Sequence, residues 1–220
     1  MEESCQVMDG SFVDRVDAGR HLATALEDYR GSDAVVLGMA RGGVAVGSAV
    51  ASELGLPLRA LIVRKVGAPG NPELAVGAVS ETGVRWIDHE LARATGADEA
   101  YLEREVERQV GEAQRRQREY ADGPGIESVR GHPAIIVDDG IATGASALVA
   151  IRSVHGLGAS RVVLATPAAA PQSVRLLQPQ VDRLIALRTP DPFMSVGLYY
   201  RDFAQVSDAE VICYLREATA

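Results

Sequence analysis

The stretch AIIVDDGIATGAS, residues 134–146, sets two aspartates at the end of a short apolar run and follows them with a turn of small and hydroxyl residues. Ala134, Ile135, Ile136 and Val137 read as a buried strand, too short for a helix and rich in β-branched side chains. Adjacent carboxylates repel, so Asp138 and Asp139 oppose folding where they stand and point to a ligand. Thr143-Gly144-Ala145-Ser146 leads into a helical segment from about 145 to 157. A helix start presents unpaired backbone N–H groups and the positive end of a dipole, which together favour an anion. Thr143 and Ser146 add two hydroxyl donors. A plain strand-to-helix turn capped by Ser or Thr would use the same residues. Joined to the acid pair, however, the turn suits a ligand with a phosphate at one end and hydroxyls or Mg²⁺ beside it, and a sugar phosphate has that form.

Four more apolar runs have strand length: AVVLGM (34–39), LRALIV (58–63), RVVLAT (161–166) and DRLIAL (182–187). Helical patterns over 14–30, 43–55 and 171–178 alternate with them. Such alternation predicts an α/β fold, a parallel central sheet of about five strands flanked by helices, within a single unit over 1–220. Ligands of such sheets bind at the carboxyl ends of the strands. The loops RGG (41–43), RKVGAPGNPE (64–73) and DDGIATGAS (138–146) should therefore open on one edge. Residues 64–86 hold Pro69, Pro72 and four glycines, which predicts a long loop with one hairpin near 75–86. Residues 97–121 form the most charged helix, whose narrow stripe of Leu102, Val106, Val110 and Ala113 belongs on the surface or against a partner. Residues 188–206 are irregular, and Ser207 is placed to cap a terminal helix.

The formal charge of −8 over 220 residues argues against a nucleic-acid surface, which needs clustered Lys and Arg. No apolar run approaches the length of a membrane helix, and MEESCQVMDGSF lacks the apolar centre of a secretory signal. Cys5 and Cys213 have neither metal nor redox spacing and read as free thiols of a cytoplasmic protein. His21, His89, His132 and His155 are scattered, with no zinc-ligand spacing. There is no Walker loop, no dinucleotide fingerprint and no serine elbow. Among 22 basic residues Lys65 is the only lysine, so its position invites a reason beyond charge.

With these residues in view, VDDGIATGAS resembles the ribose-5-phosphate loop of the type I phosphoribosyltransferases: four apolar residues, two acids, a short spacer, then T-G-x-T/S. The order of elements agrees with that family from about residue 12 to 206. The combination of RGG with RKxGxPxNPE is similar to a bacterial branch known only by the family's general name. The resemblance implies Mg²⁺-dependent transfer of ribose 5-phosphate from phosphoribosyl pyrophosphate (PRPP) to a nitrogen acceptor, with release of pyrophosphate. It implies that the loop from Asp138 through Gly140, Ile141, Ala142, Thr143, Gly144 and Ala145 to Ser146 binds PRPP. Asp138 and Asp139 would take the ribose hydroxyls and stand indirectly by the metal. Arg41, Gly42 and Gly43 would hold the pyrophosphate through backbone N–H groups, with a cis peptide allowed for at Arg41. Arg64 and Lys65 would reach the pyrophosphate from a flexible flap over about 64–86. A small hood would come from 1–30 and 188–220.

The acceptor is less defined. The 6-oxopurine members carry an acid before the T-G, where this chain has Ala142, and use a lysine after the loop, where this chain has none. PDPFMSVGLYYRDF (190–203) resembles the family's base-stacking segment. Phe193 falls at the stacking position, with Tyr199, Tyr200 and, as an outlying metal candidate, Asp202 nearby; the same aromatics would serve equally as core or lid residues. Two classes of function stay open, a transferase acting on a small-molecule acceptor and a PRPP- or nucleotide-sensing regulator that keeps the loop without the chemistry. The family and the stripe at Leu102, Val106 and Val110 both suggest a homodimer.

Overall fold

The computed structural model describes residues 11–120 and 125–218. Cys5 and the first ten residues of the expected hood lie outside them. In chain order the elements are α1 (Arg15–Ala25), β1 (Val35–Met39), α2 (Gly42–Leu54), β2 (Leu58–Leu61), β3 (Val63–Ala68), β4 (Asn71–Ser80), β5 (Arg85–Ile87), α3 (His89–Ala94) and α4 (Glu99–Tyr120). Then come β6 (Pro133–Val137), α5 (Ala145–Gly156), β7 (Arg161–Ala168), α6 (Pro171–Leu177), β8 (Arg183–Arg188) and α7 (Asp208–Glu217).

Five strands form one parallel sheet in the order β2-β1-β6-β7-β8, the α/β architecture expected. The pleat divides each strand between two cores. Val36, Ile135, Val137, Val163 and Ala165 face a cluster with Leu22 of α1, Leu26 just beyond it, Val46 and Val50 of α2, and Val211 and Leu215 of α7. Val35, Leu37, Ala134, Ile136, Val162 and Leu164 face Leu148, Ile151 and Val154 of α5 and Leu177 of α6. Burial on both faces accounts for strands that read as unbroken apolar runs. Ser207 caps α7 as expected, in a reciprocal pair with Glu210.

Residues 63–87 depart from the loop expectation. They form a second sheet, antiparallel, in the order β3-β4-β5. The expected hairpin is its β4–β5 half; β3 joins at the turn of Pro69 and Gly70, where Gly70 has φ +72°. Val66, Ala68, Val76 and Val79 pack there on Leu102 and Val106 of α4 and Ala92 of α3. This corrects a second expectation: the stripe of α4 is covered within the chain, so a homodimer rests on the family resemblance alone. Ile62 is the one residue between the two sheets. Glu81 N–H donates to Ile62 O, and Ile62 N–H donates to Glu81 Oε1, each at 3.2 Å.

The two hood segments meet beside the carboxyl edge of the main sheet. Phe12 pairs with Tyr200, with Phe12 N–H donating to Tyr199 O at 2.8 Å and Arg201 N–H to Phe12 O at 2.8 Å. Phe12, Tyr199, Tyr200, Ala18 and Ala168 make a small apolar cluster of their own.

Candidate active site

β1 and β6 are neighbours, so the turns that follow them adjoin. Asp138 and Asp139 follow β6 directly. The backbone N–H of Asp139 donates to Asp138 Oδ1 at 3.0 Å, and Arg15 Nε donates to Asp139 Oδ2 at 2.8 Å. The second oxygen of each carboxylate has no hydrogen-bond partner among the described residues. Burial raises both carboxyls above the usual range. At Asp138 the charge of Asp139 adds to that rise, whereas the Arg15 guanidinium opposes it at Asp139.

The RGG turn lies directly against this pair. A Cβ on Gly42 would stand 1.9 Å from Asp139 Oδ2, and one on Gly43 would stand 2.5 Å from Val137 O. A side chain at Gly43 would collide with backbone, and one at Gly42 would have to displace the Asp139 carboxylate. The Ala40–Arg41 peptide is cis. The Arg41 side chain leaves the turn toward Asp208, with Nη1 at 3.9 Å from Oδ1, so it is the backbone of 41–43 that faces the edge.

After the acids, Ile141 N–H donates to Ala168 O at 2.9 Å and Ala170 N–H to Ile141 O at 2.8 Å, which ties the loop to β7. Ser173 Oγ donates to Ala142 O at 2.6 Å. Ala142 and Thr143 are exposed and Ser146 is half-buried. Gly144 occupies the N-cap of α5 at φ +82°, a conformation that suits glycine. No side chain caps α5, nor α2 after the RGG turn. By contrast α1, α3 and α7 are capped by Asp14, Asp88 and Ser207. Two long helices thus aim uncapped N-termini at the edge that carries the acid pair, a frame suited to two phosphate groups with an acid-lined gap between them.

Other predicted residues lie elsewhere. Arg64 and Lys65 are consecutive on β3 and project from opposite faces. Arg64 Nε donates to Gln109 Oε1 of α4 at 3.0 Å, so this residue is not brought to the acid pair; burial beside Arg116 lowers its guanidinium below the usual range. Lys65 is exposed and makes no ion pair among the described residues. Tyr199 and Tyr200 are 3% and 4% exposed, which makes them core rather than stacking residues. Tyr200 Oη donates to Asp139 O at 2.6 Å, and burial raises its phenol well above the usual range. Phe193 is half-buried with its ring 5.2 Å from that of Tyr199. Asp202 Oδ1 accepts from Ala204 N at 3.0 Å within its own turn. Among the described residues no three His, Cys, Asp or Glu side chains gather as a metal-ligand group.

One residue of the site escapes motif reading. Arg15 is separated from Asp139 by 124 positions, and only its setting gives a hint: a cation in the first turn of a helix opposes the dipole unless it is engaged elsewhere. A groove of about 610 Å³ between α1, α2 and α7, lined by Arg20, Glu53, Pro57 and Tyr214 among others, shares no residue with the acid-pair loop. None of the buried unpartnered polar atoms belongs to its walls.

Residues 14–198 match the family described as the phosphoribosyl transferase domain. Two curated relatives, from the CDC 1551 and H37Rv strains of Mycobacterium tuberculosis, are 44% identical over 207 residues and carry provisional phosphoribosyl transferase names. The match covers 94% of this chain and 47% of each relative, so the chain spans about half their length. A crystal structure from Thermus thermophilus is 43% identical, covers 94% of this chain and 98% of its own, and superposes with a TM-score of 0.74. No helix among the described residues is long and apolar enough to cross a membrane.

Proposed function

Because the chain belongs to the phosphoribosyl transferase family, we propose that it transfers ribose 5-phosphate from PRPP to a nitrogen acceptor. The observation that carries this reading is the pair of uncapped helix N-termini, of α2 and α5, that flank Asp138 and Asp139 at one sheet edge. The N-terminus of α5, with Thr143 and Ser146, receives the 5-phosphate. The backbone N–H groups of residues 41–43 receive the pyrophosphate. The free oxygens of Asp138 and Asp139 accept hydrogen bonds from the ribose hydroxyls.

In the reaction the C1–pyrophosphate bond breaks, a bond from the acceptor nitrogen to C1 forms, and that nitrogen gives up its proton. Positive charge develops on the ribose as pyrophosphate leaves. The carboxylates beneath it offset that charge from fixed positions. The donor set of hard carboxylate oxygens at an open edge fits Mg²⁺, which Asp138 and Asp139 would hold through water or substrate oxygens. When bound, the ion neutralises part of the pyrophosphate charge. Lys65, exposed and without an ion pair among the described residues, is the cation offered to the pyrophosphate from β3, on a strand packed against α4 and not on a free flap. Phe193 is the ring left to stack on a flat acceptor, and Ala142 in place of an acid weighs against a 6-oxopurine. A cytoplasmic location and a homodimer belong to the same reading.

Pyrophosphate release from PRPP and Mg²⁺, measured across a panel of bases, tests it. Release with at least one base is expected, lost in Asp138→Asn and Asp139→Asn. Tight PRPP binding without release for any acceptor would instead make the protein a sensor. Absence of PRPP binding would remove both readings.

A further inference from the structure

We propose that Arg15 is a positioning residue for the transfer, holding the Asp139 carboxylate toward the ribose and tying it to the 199–204 segment. The proposal rests on the donor reading above. Its basis is a closed set of contacts around Asp139. Arg15 is 11% exposed by its side chain and Asp139 18%, so the 2.8 Å contact is largely shielded from water. Nη1 of Arg15 donates to Ala204 O at 2.7 Å. Cζ of the same guanidinium lies over the Phe203 ring, 3.9 Å from its centroid. Phe203 in turn stacks on Tyr200 at 5.0 Å, and the Tyr200 hydroxyl returns to the Asp139 carbonyl at 2.6 Å. One side chain from α1 therefore joins the acid pair, the neighbourhood of the RGG turn and the segment that follows the short helical turn 196–199.

The residue type alone says little, since this chain writes nearly every basic residue as arginine. The geometry says more. A planar fork supplies two fixed N–H directions and a stacking face at once, whereas an ammonium supplies charge and rotatable donors but no planar face. Two adjacent carboxylates at a half-buried strand end need a cation if both are to stay ionised and aimed. Around Asp139 the titratable and charged groups are Asp138 on its own strand end, Arg15 on α1 and Tyr200 opposite. Asp14, Asp202 and Glu210 line the small cavity on the far side of Arg15, and Arg41 turns away to Asp208. None of these others makes an ion pair with Asp139.

The test uses the full chain, wild type against Arg15→Ala, Arg15→Lys and Phe203→Leu. Amide exchange at Arg201 and Asp202 should accelerate in all three variants, because the fork or its stacking partner is lost. PRPP binding with Mg²⁺, followed by calorimetry, should weaken about tenfold in Arg15→Ala, and Arg15→Lys, which keeps the charge without the fork, should recover only part of that loss. If the wild type binds PRPP while a folded Arg15→Ala keeps both the affinity and the exchange rates, the positioning role is overturned. If Arg15→Ala does not fold, Arg15→Lys and Phe203→Leu decide it by affinity and by exchange at the same two amides. A wild type that binds no PRPP overturns the donor reading and, with it, any role of Arg15 in transfer; the exchange rates then report only a structural hold.

Discussion

Glu81 is the most informative single position for stability. It is 7% exposed, its Oε1 accepts from Ile62 N–H, and its Oε2 is buried with no partner. No cation pairs with it among the described residues, and the Gln114 side chain of α4 reaches its carbonyl, not its carboxyl. Burial raises this carboxyl from 4.5 to about 7, against two backbone hydrogen bonds that lower it. Because the folded value lies above the unfolded one, the folded chain binds more protons between pH 4.5 and about 7. The stability linked to protonated Glu81 is thus fully present below pH 4.5 and lost as pH rises through about 7. The difference corresponds to about 3 kcal/mol, or on the order of 10 °C in melting temperature for a chain of this size. Glu81→Gln keeps an acceptor for Ile62 N–H and removes the titration. Urea unfolding at pH 5, 6, 7 and 8 should show wild type at least as stable as the variant at pH 5 and less stable at pH 8. Taking the difference between the two proteins cancels the histidines and the Asp138–Asp139 pair. Parallel curves across that range would refute the reasoning. Because Glu81 brackets Ile62, the Ile62 amide should be less protected in wild type than in Glu81→Gln at the same pH above 7.

Two further outcomes follow from the site. Gly42→Ala places a methyl within 1.9 Å of Asp139 Oδ2, so the RGG turn or the carboxylate must shift. Overpacking of this kind costs about 1–3 kcal/mol, and PRPP affinity by calorimetry should fall more than melting temperature does. Tyr200→Phe removes the donor to Asp139 O while keeping the ring on Phe203. A loss of about 1 kcal/mol in urea is expected, together with weaker PRPP binding; an unchanged affinity would separate Tyr200 from the acid pair.

The family rests on the matched domain and on the Mycobacterium tuberculosis relatives, matched over about half of their length, while the Thermus thermophilus structure shares the fold over nearly its whole length. They leave the acceptor to the assay above.

Local pattern determined a great deal here. Alternation of apolar runs with helices predicts the parallel sheet, because strands buried on both faces must be apolar at every position. The string from Ala134 to Ser146 marks the strand, the acids and the helix start in order, since each is a property of adjacent residues. Residues 63–87 resist the same reading. Their glycines and prolines serve partly as turn residues, at Pro69 and Gly70, and partly as strand positions of close approach: a Cβ on Gly77 would stand 2.5 Å from Trp86 O. Composition cannot tell those uses apart. Likewise the stripe of α4 is visible in the sequence, but what covers it is a sheet that only folding brings there. The exposure of Tyr199 and Tyr200 was open until Phe12 closed over them. Arg15 carries no motif, and its place in a helix's first turn hints at engagement without naming a partner, because that partner is set by how α1 packs beside α2 and the end of β6. The sequence by itself marked which acids and turns share the edge; tertiary structure decided which cation meets Asp139 there, because charge pairing depends on distance in space and motifs record only distance along the chain.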